Sequence, residues 1–254
     1  MINVATLLSI GRHPRSGWPR CSPTDQRAVE LALGQPDAKT VFLHAGDPSH
    51  PVLGEYLGLG VAALGVLVLP AGADPVPALA AHLRAETPDL VLTGNRGDGG
   101  RETGMVPYIL AETLGLAFVS DVVAVTRDDG RIICLQGLPG GHRRRLACPL
   151  PAVVAVSANA PKPRAVSRRL TRVGRIVPIE VPDRHVVPDV AVQLEPAATR
   201  PRRLRDAGTG DFADRLRNIT GAALDGGAAT TGLSAEEAAA RVMSYLSDNG
   251  CPVR

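Results

Sequence analysis

A glycine-rich loop followed by a threonine is the part of this sequence whose residue types could bind an anion. Residues 94–102 read Gly-Asn-Arg-Gly-Asp-Gly-Gly-Arg-Glu, with four glycines in nine positions, and Thr103 follows directly. Backbone N–H groups in such a loop can converge on a phosphate, because glycine adopts backbone conformations that other residues avoid. Thr103 can cap a following helix and also contact a phosphate oxygen. Asp98 would repel a phosphate, so its carboxylate would orient the loop or bind a ribose hydroxyl.

The loop by itself leaves two interpretations open. It contains neither the Gly-Lys-Ser/Thr of a P-loop nor a GxGxxG pattern. A tight turn that needs positive φ angles would use the same glycines. If the loop does bind a nucleotide, its candidate contacts are Gly94, Asp98, Gly99, Gly100, Arg101, Glu102 and Thr103.

The histidines and cysteines form no recognisable catalytic or metal-binding group. The six histidines are scattered, and the sequence has no Gly-x-Ser-x-Gly and no HExxH. The four cysteines lie far apart, without the spacing of a zinc or iron–sulfur site. We therefore expect no catalytic residue and no metal site. The sequence favours a scaffold that holds a nucleotide over one that transforms a substrate.

The elements that must position the loop are short aliphatic runs that alternate with longer amphipathic stretches. This alternation predicts βαβ units around a mostly parallel, doubly wound sheet. The runs are apolar throughout, as expected for strands covered by helices on both faces. Predicted strands lie at 4–10, 40–44, 64–69, 90–93 and 152–156, and predicted helices begin near residues 22, 52, 76 and 103. The glycine-rich loop then follows the fourth strand, at the edge where doubly wound sheets bind ligands.

Three further segments depart from this pattern. Asp129-Gly130 lies between two β-rich runs in residues 117–136, which predicts an antiparallel hairpin insert. Residues 158–205 are rich in Pro and Arg without clear periodicity, so we expect an extended arm that lies on another surface. Residues 206–254 form a tail with helices at 211–219 and 234–246, where Ser234 and Glu237 have capping-box spacing. Residues 1–157 would then be the nucleotide-binding α/β domain.

Composition narrows the class of protein. Hydrophobic residues make up 44% and charged residues 21% of the chain, which is typical of a soluble globular protein. Aromatic residues make up only 3%, which argues against nucleic-acid modules that stack bases on aromatic side chains. No apolar run approaches the roughly 20 residues that span a bilayer. The first residues lack the basic region of a signal peptide. We expect a cytoplasmic protein with no nucleic-acid binding and no membrane insertion.

Taken in order, the motifs of the chain resemble those of the electron-transfer flavoprotein β subunits. In that family the fourth strand ends in Gly, and an Asp-containing loop leads to Gln-Thr-Gly at the start of a helix. The matching residues here are Gly94, Asp98 and Glu102-Thr103-Gly104. The family's Leu-Pro-Ala-Val-Val occurs at 150–154, its Pro-Ile-Glu-Val at 178–181 and its Ala-Val-Glu at 28–30. The likeness covers about residues 1–219.

This resemblance implies an adenine nucleotide α-hydrolase-like fold and an electron carrier rather than an enzyme. The β subunit of the family buries an AMP at its strand ends, and the α subunit of the heterodimer holds most of the redox-active FAD near the shared interface. Flavin dehydrogenases donate the electrons, and a quinone-linked or other oxidoreductase accepts them. Carried over residue by residue, the nucleotide contacts fall on Ser9, Ser22, Pro23, Ala45, Asp98, Arg101, Glu102 and Thr103.

The chain departs from the family pattern around the nucleotide. Its loop is about two residues shorter, and Arg101-Glu102 stands where the family has Asn-Gln. Arg101 could make a charge-assisted contact to phosphate. Ser16 and Thr24 occupy positions where the family has aromatic residues near the flavin, and Trp18 is the aromatic residue that could substitute for them.

In the family, the arm embraces the α subunit and recognises the dehydrogenase. The family's leucine anchor falls on Arg168 here, and a leucine follows two residues later. The arginines of this stretch could form a docking surface, where such charges steer transient encounters more than they add affinity. The alternative is that they are simply the solvated charges of a basic arm. The predicted docking residues are Arg168, Arg169, Leu170 and Arg172. The chain after Ile219 is longer than is usual in the family.

Three other functions remain open at this point. The β subunit could hold a second FAD instead of AMP, as in electron-bifurcating members of the family. The chain could be a stand-alone adenine-nucleotide sensor, since related sheets bind ATP or AMP without a flavin. It could also be a nucleic-acid-binding protein that uses the arginines of its arm, which would give a steep salt dependence.

Overall fold

The computed structural model describes residues 2–35, 37–97, 103–182, 187–188 and 233–248 of the chain. The chain divides into two compact units, Met1–Val192 and Gln193–Arg254. The described strands are β1 (Ile2–Leu8), β2 (Ile10–Arg12), β3 (Pro19–Cys21), β4 (Ala38–Gly46), β5 (Ala63–Val68), β6 (Ala73–Asp74), β7 (Leu90–Gly94), β8 (Ala117–Asp128), β9 (Arg131–Gly137), β10 (Arg143–Pro149), β11 (Ala152–Val156), β12 (Arg175–Ile179) and β13 (Val187–Pro188). The described α-helices are α1 (Pro23–Leu33), α2 (Leu53–Gly58), α3 (Pro75–Glu86), α4 (Val106–Leu114), α5 (Arg168–Val173) and α6 (Ala235–Asp248).

A nine-stranded, mostly parallel sheet forms the centre of the first unit. Its spatial order is β10-β9-β8-β11-β7-β1-β4-β5-β12. The strands from β8 to β12 in this order run parallel to one another. Strand β9 pairs antiparallel with β8 on one side and with β10 on the other. The sheet confirms the predicted fold class, a doubly wound α/β sheet with an antiparallel insert.

The direction in which the chain adds strands reverses at β1. After β1, helices α1 and α2 lead to β4 and β5, which extend the sheet on one side. Helix α3 then leads back to β7, on the opposite side of β1. This reversal makes the carboxyl edge between β1 and β7 the topological switch point, where ligands bind in open α/β sheets.

Different helices cover the two faces of the sheet. Val4 and Leu8 of β1 belong to the apolar cluster that contains the buried residues of α1 and α2. Ala5 and Leu7 belong to a second cluster with α3 and α4. Successive residues of a strand point to opposite faces, so a strand covered on both sides must be apolar throughout.

The predicted hairpin joins β8 to β9. Its turn residues Asp129 and Gly130 have φ angles of 30° and 78°, and two positive φ values are what a two-residue type I′ turn requires. A short 3₁₀ turn at Pro139–Gly141 leads on to β10, which pairs with β9. Two small antiparallel ladders, β2 with β3 and β6 with β13, lie outside the main sheet.

The main sheet continues beyond residue 157, where the sequence analysis ended it. Strand β12 pairs in parallel with β5, from Arg175 opposite Ala63 to Ile179 opposite Leu67. Pro178 has no N–H to donate, which an edge strand tolerates. That proline and the flanking arginines hide the strand pattern in the sequence. The sequence analysis predicted neither α5 nor β12 in residues 168–179.

The described part of the second unit is α6, which begins with the predicted capping box. The Ser234 N–H donates to Glu237 Oε2 at 2.8 Å, and the Glu237 N–H donates to Ser234 Oγ at 3.2 Å. These hydrogen bonds lower the pKa of Glu237, since they favour its carboxylate form. The predicted helix at 211–219 lies outside the described residues.

Candidate functional site

The candidate site is the crevice at the carboxyl ends of β1 and β7. Ser9 follows the last residue of β1, and Gly94 is the last residue of β7. Leu8 pairs with His44 across β1 and β4, so Ala45 on β4 lies at the level of Ser9. The structure thus brings Ser9, Ala45 and Gly94 to one edge of the sheet.

A buried carboxylate connects the two sides of this crevice. Asp25, in the first turn of α1, is only 4% exposed. Its Oδ2 accepts hydrogen bonds from the Ser9 backbone N–H at 2.7 Å and from Ser9 Oγ at 2.5 Å. Its Oδ1 accepts a hydrogen bond from the Gly94 N–H at 3.0 Å. The backbone amides of both residues therefore point at a carboxylate of the same chain.

A buried tyrosine holds the other side of Ser9. The Tyr56 hydroxyl donates to the Ser9 carbonyl oxygen at 2.7 Å and accepts from the Ser22 N–H at 3.1 Å. Ser22 is fully buried and precedes α1, but its side chain makes no capping hydrogen bond to the helix. Its Oγ lies 3.2 Å from the Thr24 hydroxyl instead. Pro23, the first residue of α1, is exposed.

Hydrogen bonds fix the start of the glycine-rich loop. Thr24 Oγ1 donates to the Arg96 carbonyl oxygen at 2.7 Å. The Asn95 N–H donates to the Val156 carbonyl oxygen at 3.0 Å, and Asn95 Nδ2 donates to Asp121 Oδ1 at 3.0 Å. A β-carbon built on Gly97 would lie 3.4 Å from Ser9 Oγ, so the loop passes close to the end of β1.

The middle of the loop carries five of the predicted contacts: Asp98, Gly99, Gly100, Arg101 and Glu102. All five lie outside the described residues, and their role stays a prediction.

The far end of the loop differs from the expectation that Thr103 starts a helix. Helix α4 begins at Val106, and Thr103 Oγ1 accepts a hydrogen bond from the Met105 N–H at 3.2 Å. Gly104 has a φ of 69°, which interrupts any helix that would start at residue 103. The Thr103 side chain is exposed.

Burial shifts the ionisation of the groups around the crevice. It raises the pKa of Asp25 to about 6, although the hydrogen bonds from Ser9 and Gly94 act in the opposite direction. Burial lowers the pKa of His44, whose Nδ1 lies 2.8 Å from the Leu8 carbonyl oxygen. Burial also raises the pKa of Tyr56 well above its ordinary value. At neutral pH the crevice therefore has one buried anion beside a neutral imidazole and a neutral phenol.

Asp25 and Tyr56 were missed by the sequence analysis, which named Thr24 only as a residue near the flavin. One signal for Asp25 was available, since it lies three residues before Ala28 on the apolar face of α1. A carboxylate on the buried face of a helix needs hydrogen-bond donors from elsewhere in the fold. Tyr56 has no comparable local signal, because its partners Ser9 and Ser22 are distant in sequence.

The docking segment, residues 166–174, contains the predicted docking residues and lies against α2. The Ser167 N–H donates to the Gly58 carbonyl oxygen at 2.9 Å, and Thr171 Oγ1 donates to the Gly54 carbonyl oxygen at 3.1 Å. Of the four predicted docking residues, the three arginines are exposed and the leucine is half-buried: Arg168, Arg169, Arg172 and Leu170. The exposed apolar side chains beside them are Val166 and Val173.

Membrane spans and metal clusters are both missing from the described ranges. No helix there has the length and the apolar content to cross a bilayer. In the same residues, no three His, Cys, Asp or Glu side chains are grouped closely enough to hold a metal ion. Cys21, Cys134 and Cys148 are free and buried, and burial raises the pKa of Cys134 to about 12.

Comparison with known proteins agrees with the geometry of the sheet. A family model described as the electron transfer flavoprotein domain matches residues 20–184. The chain is also 39% identical to the electron transfer flavoprotein subunit beta of Chromohalobacter salexigens, over 255 aligned residues. That match covers 97% of this chain and 94% of the relative. It therefore includes most of the segment after Ile219, so this relative shares the long tail. On these grounds, the chain belongs to the electron transfer flavoprotein family, among its β subunits.

Proposed function

We propose that this chain binds AMP as a structural nucleotide and pairs with an α subunit that carries the FAD. In this role the heterodimer relays electrons from a flavin dehydrogenase to a downstream oxidoreductase. The observation that carries the proposal is the crevice at the switch point, lined by Ser9, Ala45 and Gly94 at the carboxyl ends of three strands. Adenine nucleotides bind at this edge in doubly wound sheets.

The residues present fit an adenylate. Gly97 lacks a side chain where the loop passes Ser9, at a position where a β-carbon would lie 3.4 Å from Ser9 Oγ. The Ser9 and Gly94 amides already donate to Asp25 and are not available to a phosphate. The loop after Gly97, with Thr103 at its end, is therefore the part of the site that would hold the phosphate, and the strand ends would hold the nucleoside.

The flavin, when bound, supplies the redox chemistry, and this chain contributes to its position and surroundings. The described residues include one exposed aromatic side chain in the region that the resemblance places near the flavin. Trp18, in the β2–β3 connection, is 75% exposed. Thr24 is not free for such a contact, because its hydroxyl donates to the Arg96 carbonyl oxygen.

Co-expression of the chain with its α subunit tests the proposal. We expect a yellow heterodimer that releases one FAD and one AMP on denaturation, measured by absorption spectroscopy and chromatography of the extracted ligands. Two FAD per heterodimer would contradict the AMP assignment and indicate a second flavin in this chain. A colourless protein that does not associate with an α subunit would contradict the whole proposal.

Replacement Thr103→Val is expected to weaken AMP retention by about tenfold to a hundredfold, because a hydrogen bond to a charged group contributes roughly 1.5–3 kcal/mol. The rate of AMP exchange in the purified heterodimer measures this change. Thr113→Val is the matched control, since Thr113 is an exposed threonine in the last turn of α4. Equal exchange rates in the two variants would show that Thr103 does not contact the nucleotide.

The exposed arginines of α5 are expected to steer the dehydrogenase toward the heterodimer. The double replacement Arg168→Glu with Arg169→Glu should slow reduction by the dehydrogenase about tenfold at low salt, and the difference should shrink at high salt. Stopped-flow reduction of the flavin at several ionic strengths measures the effect. The control is Arg143→Glu with Arg145→Glu, which makes the same charge change on β10, at the opposite edge of the sheet from β12. Equal slowing in both variants would indicate a general charge effect rather than a docking surface.

A further inference from the structure

We propose that Asp25 is a positioning residue of the nucleotide site, which holds the end of β1 at a fixed distance from the end of β7. The inference rests on the proposed binding of AMP in this crevice. Asp25 would not contact the reacting flavin, and it would act through Ser9 and Gly94.

The first support is the way the two strands separate. The ladder between β1 and β7 ends at the pair Thr6 and Leu92. On its other side, β1 stays paired with β4 as far as Leu8. The carboxyl end of β1 therefore has no backbone hydrogen bonds to β7 where the crevice opens. Asp25 bridges this gap, because its two carboxylate oxygens accept from Ser9 on one side and from Gly94 on the other.

The second support is that the surrounding residues are shaped around this carboxylate. A β-carbon on Gly94 would overlap with Asp25 Oδ1 and with Thr24 Oγ1, so only glycine leaves room for the contact. Asp25 also lies in the first turn of α1, where the positive end of the helix dipole favours a negative charge. A buried carboxylate is kept here although burial disfavours its charged form.

Among the titratable groups around the site, Asp25 is the one that we expect to change charge near pH 6. Cys21 on β3 and Tyr56 on α2 have pKa values raised by burial and stay neutral there. Burial lowers the pKa of His44 on β4, which favours its neutral imidazole. Charged residues on the elements packed around the site also include Arg20 on β3, Arg27 and Glu30 on α1, Glu55 on α2 and Arg96 after β7.

Protonation of Asp25 is expected to loosen the site without unfolding the protein. The pKa of Asp25 in the folded protein, about 6, is above its ordinary value of 3.8. Its contribution to stability is therefore fully present below pH 3.8 and is lost as the pH rises through 6. Acidification from pH 7.5 to 5 thus favours the folded state at this residue. In the same range the carboxyl group loses one of the acceptors that hold Ser9 and Gly94.

The test compares wild-type heterodimer with Asp25→Asn and Asp25→Glu, by exchange of bound AMP against labelled AMP between pH 5 and 8. Thermal unfolding and FAD content are measured in parallel. We expect Asp25→Asn to speed AMP exchange about tenfold at pH 7.5, because the amide has one acceptor oxygen instead of two. The ratio of the two exchange rates should fall toward one as the pH drops below 6. Asp25→Glu keeps the carboxylate and should restore part of the retention.

The phosphate of AMP also titrates near pH 6, and it does so in every variant. The ratio of the variant and wild-type AMP exchange rates at each pH removes this shared effect. Ser9→Ala provides a second variant, which removes only the hydroxyl donor and should speed exchange about threefold. If Asp25→Asn does not fold, the pH profiles of wild type and Ser9→Ala still decide, because they should converge below pH 6.

Two results would overturn the inference. One is an AMP exchange rate in Asp25→Asn equal to that of wild type at pH 7.5. The other is a loss of AMP that parallels a loss of thermal stability, while the ratio of the wild-type and variant AMP exchange rates stays the same at every pH. That result would indicate a purely structural role for Asp25. A wild-type heterodimer that contains FAD but no AMP would instead contradict the proposed function itself.

Discussion

Gly94→Ala is expected to destabilise the protein by about 3 kcal/mol and to remove the nucleotide, because overpacking at a buried contact without free space costs about this much. The new β-carbon would overlap with Asp25 Oδ1 and Thr24 Oγ1 and lie 2.9 Å from Thr24 Cβ. To remove this overlap α1 must shift away from β7, which breaks the hydrogen bonds that the Ser9 and Gly94 N–H groups donate to Asp25. Chemical denaturation and AMP content measure the two effects.

Gly137→Ala is the control for this replacement. Gly137 ends β9, and a β-carbon there would meet its nearest atom, Val123 Cγ1, at 3.4 Å, which is an ordinary contact. We expect a change in unfolding free energy of less than about 1 kcal/mol and unchanged AMP content. If Gly94→Ala behaved like the control, the close packing of α1 on the end of β7 would be wrong.

Gly58→Ala is expected to detach the docking segment from α2. The added β-carbon would lie 2.5 Å from Val166 Cγ1, 2.7 Å from Thr171 Oγ1 and 3.3 Å from the Ser167 carbonyl oxygen. Alanine is the better helix former by roughly 1 kcal/mol, so a loss of stability in this variant must come from the clash. We expect amide hydrogen exchange in residues 166–174 to accelerate at least about tenfold, since a cost of 1.4 kcal/mol corresponds to a factor of ten.

Gly54→Ala, in the same helix, separates the clash from a general effect of substitution. Its β-carbon would meet one atom, the Thr171 methyl group, at 3.3 Å, and a small movement of that side chain removes the conflict. Hydrogen exchange in the segment should stay within about threefold of wild type. Equal acceleration in both variants would contradict the specific role of Gly58, and no acceleration in either would contradict the docked position of α5.

The elements with local signals were predicted correctly from the sequence. Asp129-Gly130 forms the hairpin turn with two positive φ angles, and Ser234 with Glu237 forms the capping box of α6. In these cases the deciding interactions join residues that are adjacent or three positions apart. The start of α4 was predicted three residues early, because the positive φ of Gly104 ends the helix pattern that Thr103 otherwise suggests.

The arm shows where local patterns fail. Residues 168–179 form α5 and β12 because α2 and β5 are available to pack and pair with them. Neither element has a strong signal of its own, since the segment is rich in arginine and contains Pro178. Their stability comes from tertiary contacts, which outweigh the intrinsic preferences of such short elements.

The sequence by itself determined the order of β1, β4, β5, β7 and β11 and of helices α1 to α4, the hairpin insert, the glycine-rich loop after β7 and the family. These follow from periodicity and from motifs within short windows. Only the tertiary structure decided that Asp25 bridges the ends of β1 and β7 and that Gly58 receives the arm. The contacts of Asp25 join residues 16 and 69 positions apart, and those of Gly58 reach across more than a hundred residues. Such contacts depend on strand order and helix packing, which no short stretch of the chain encodes.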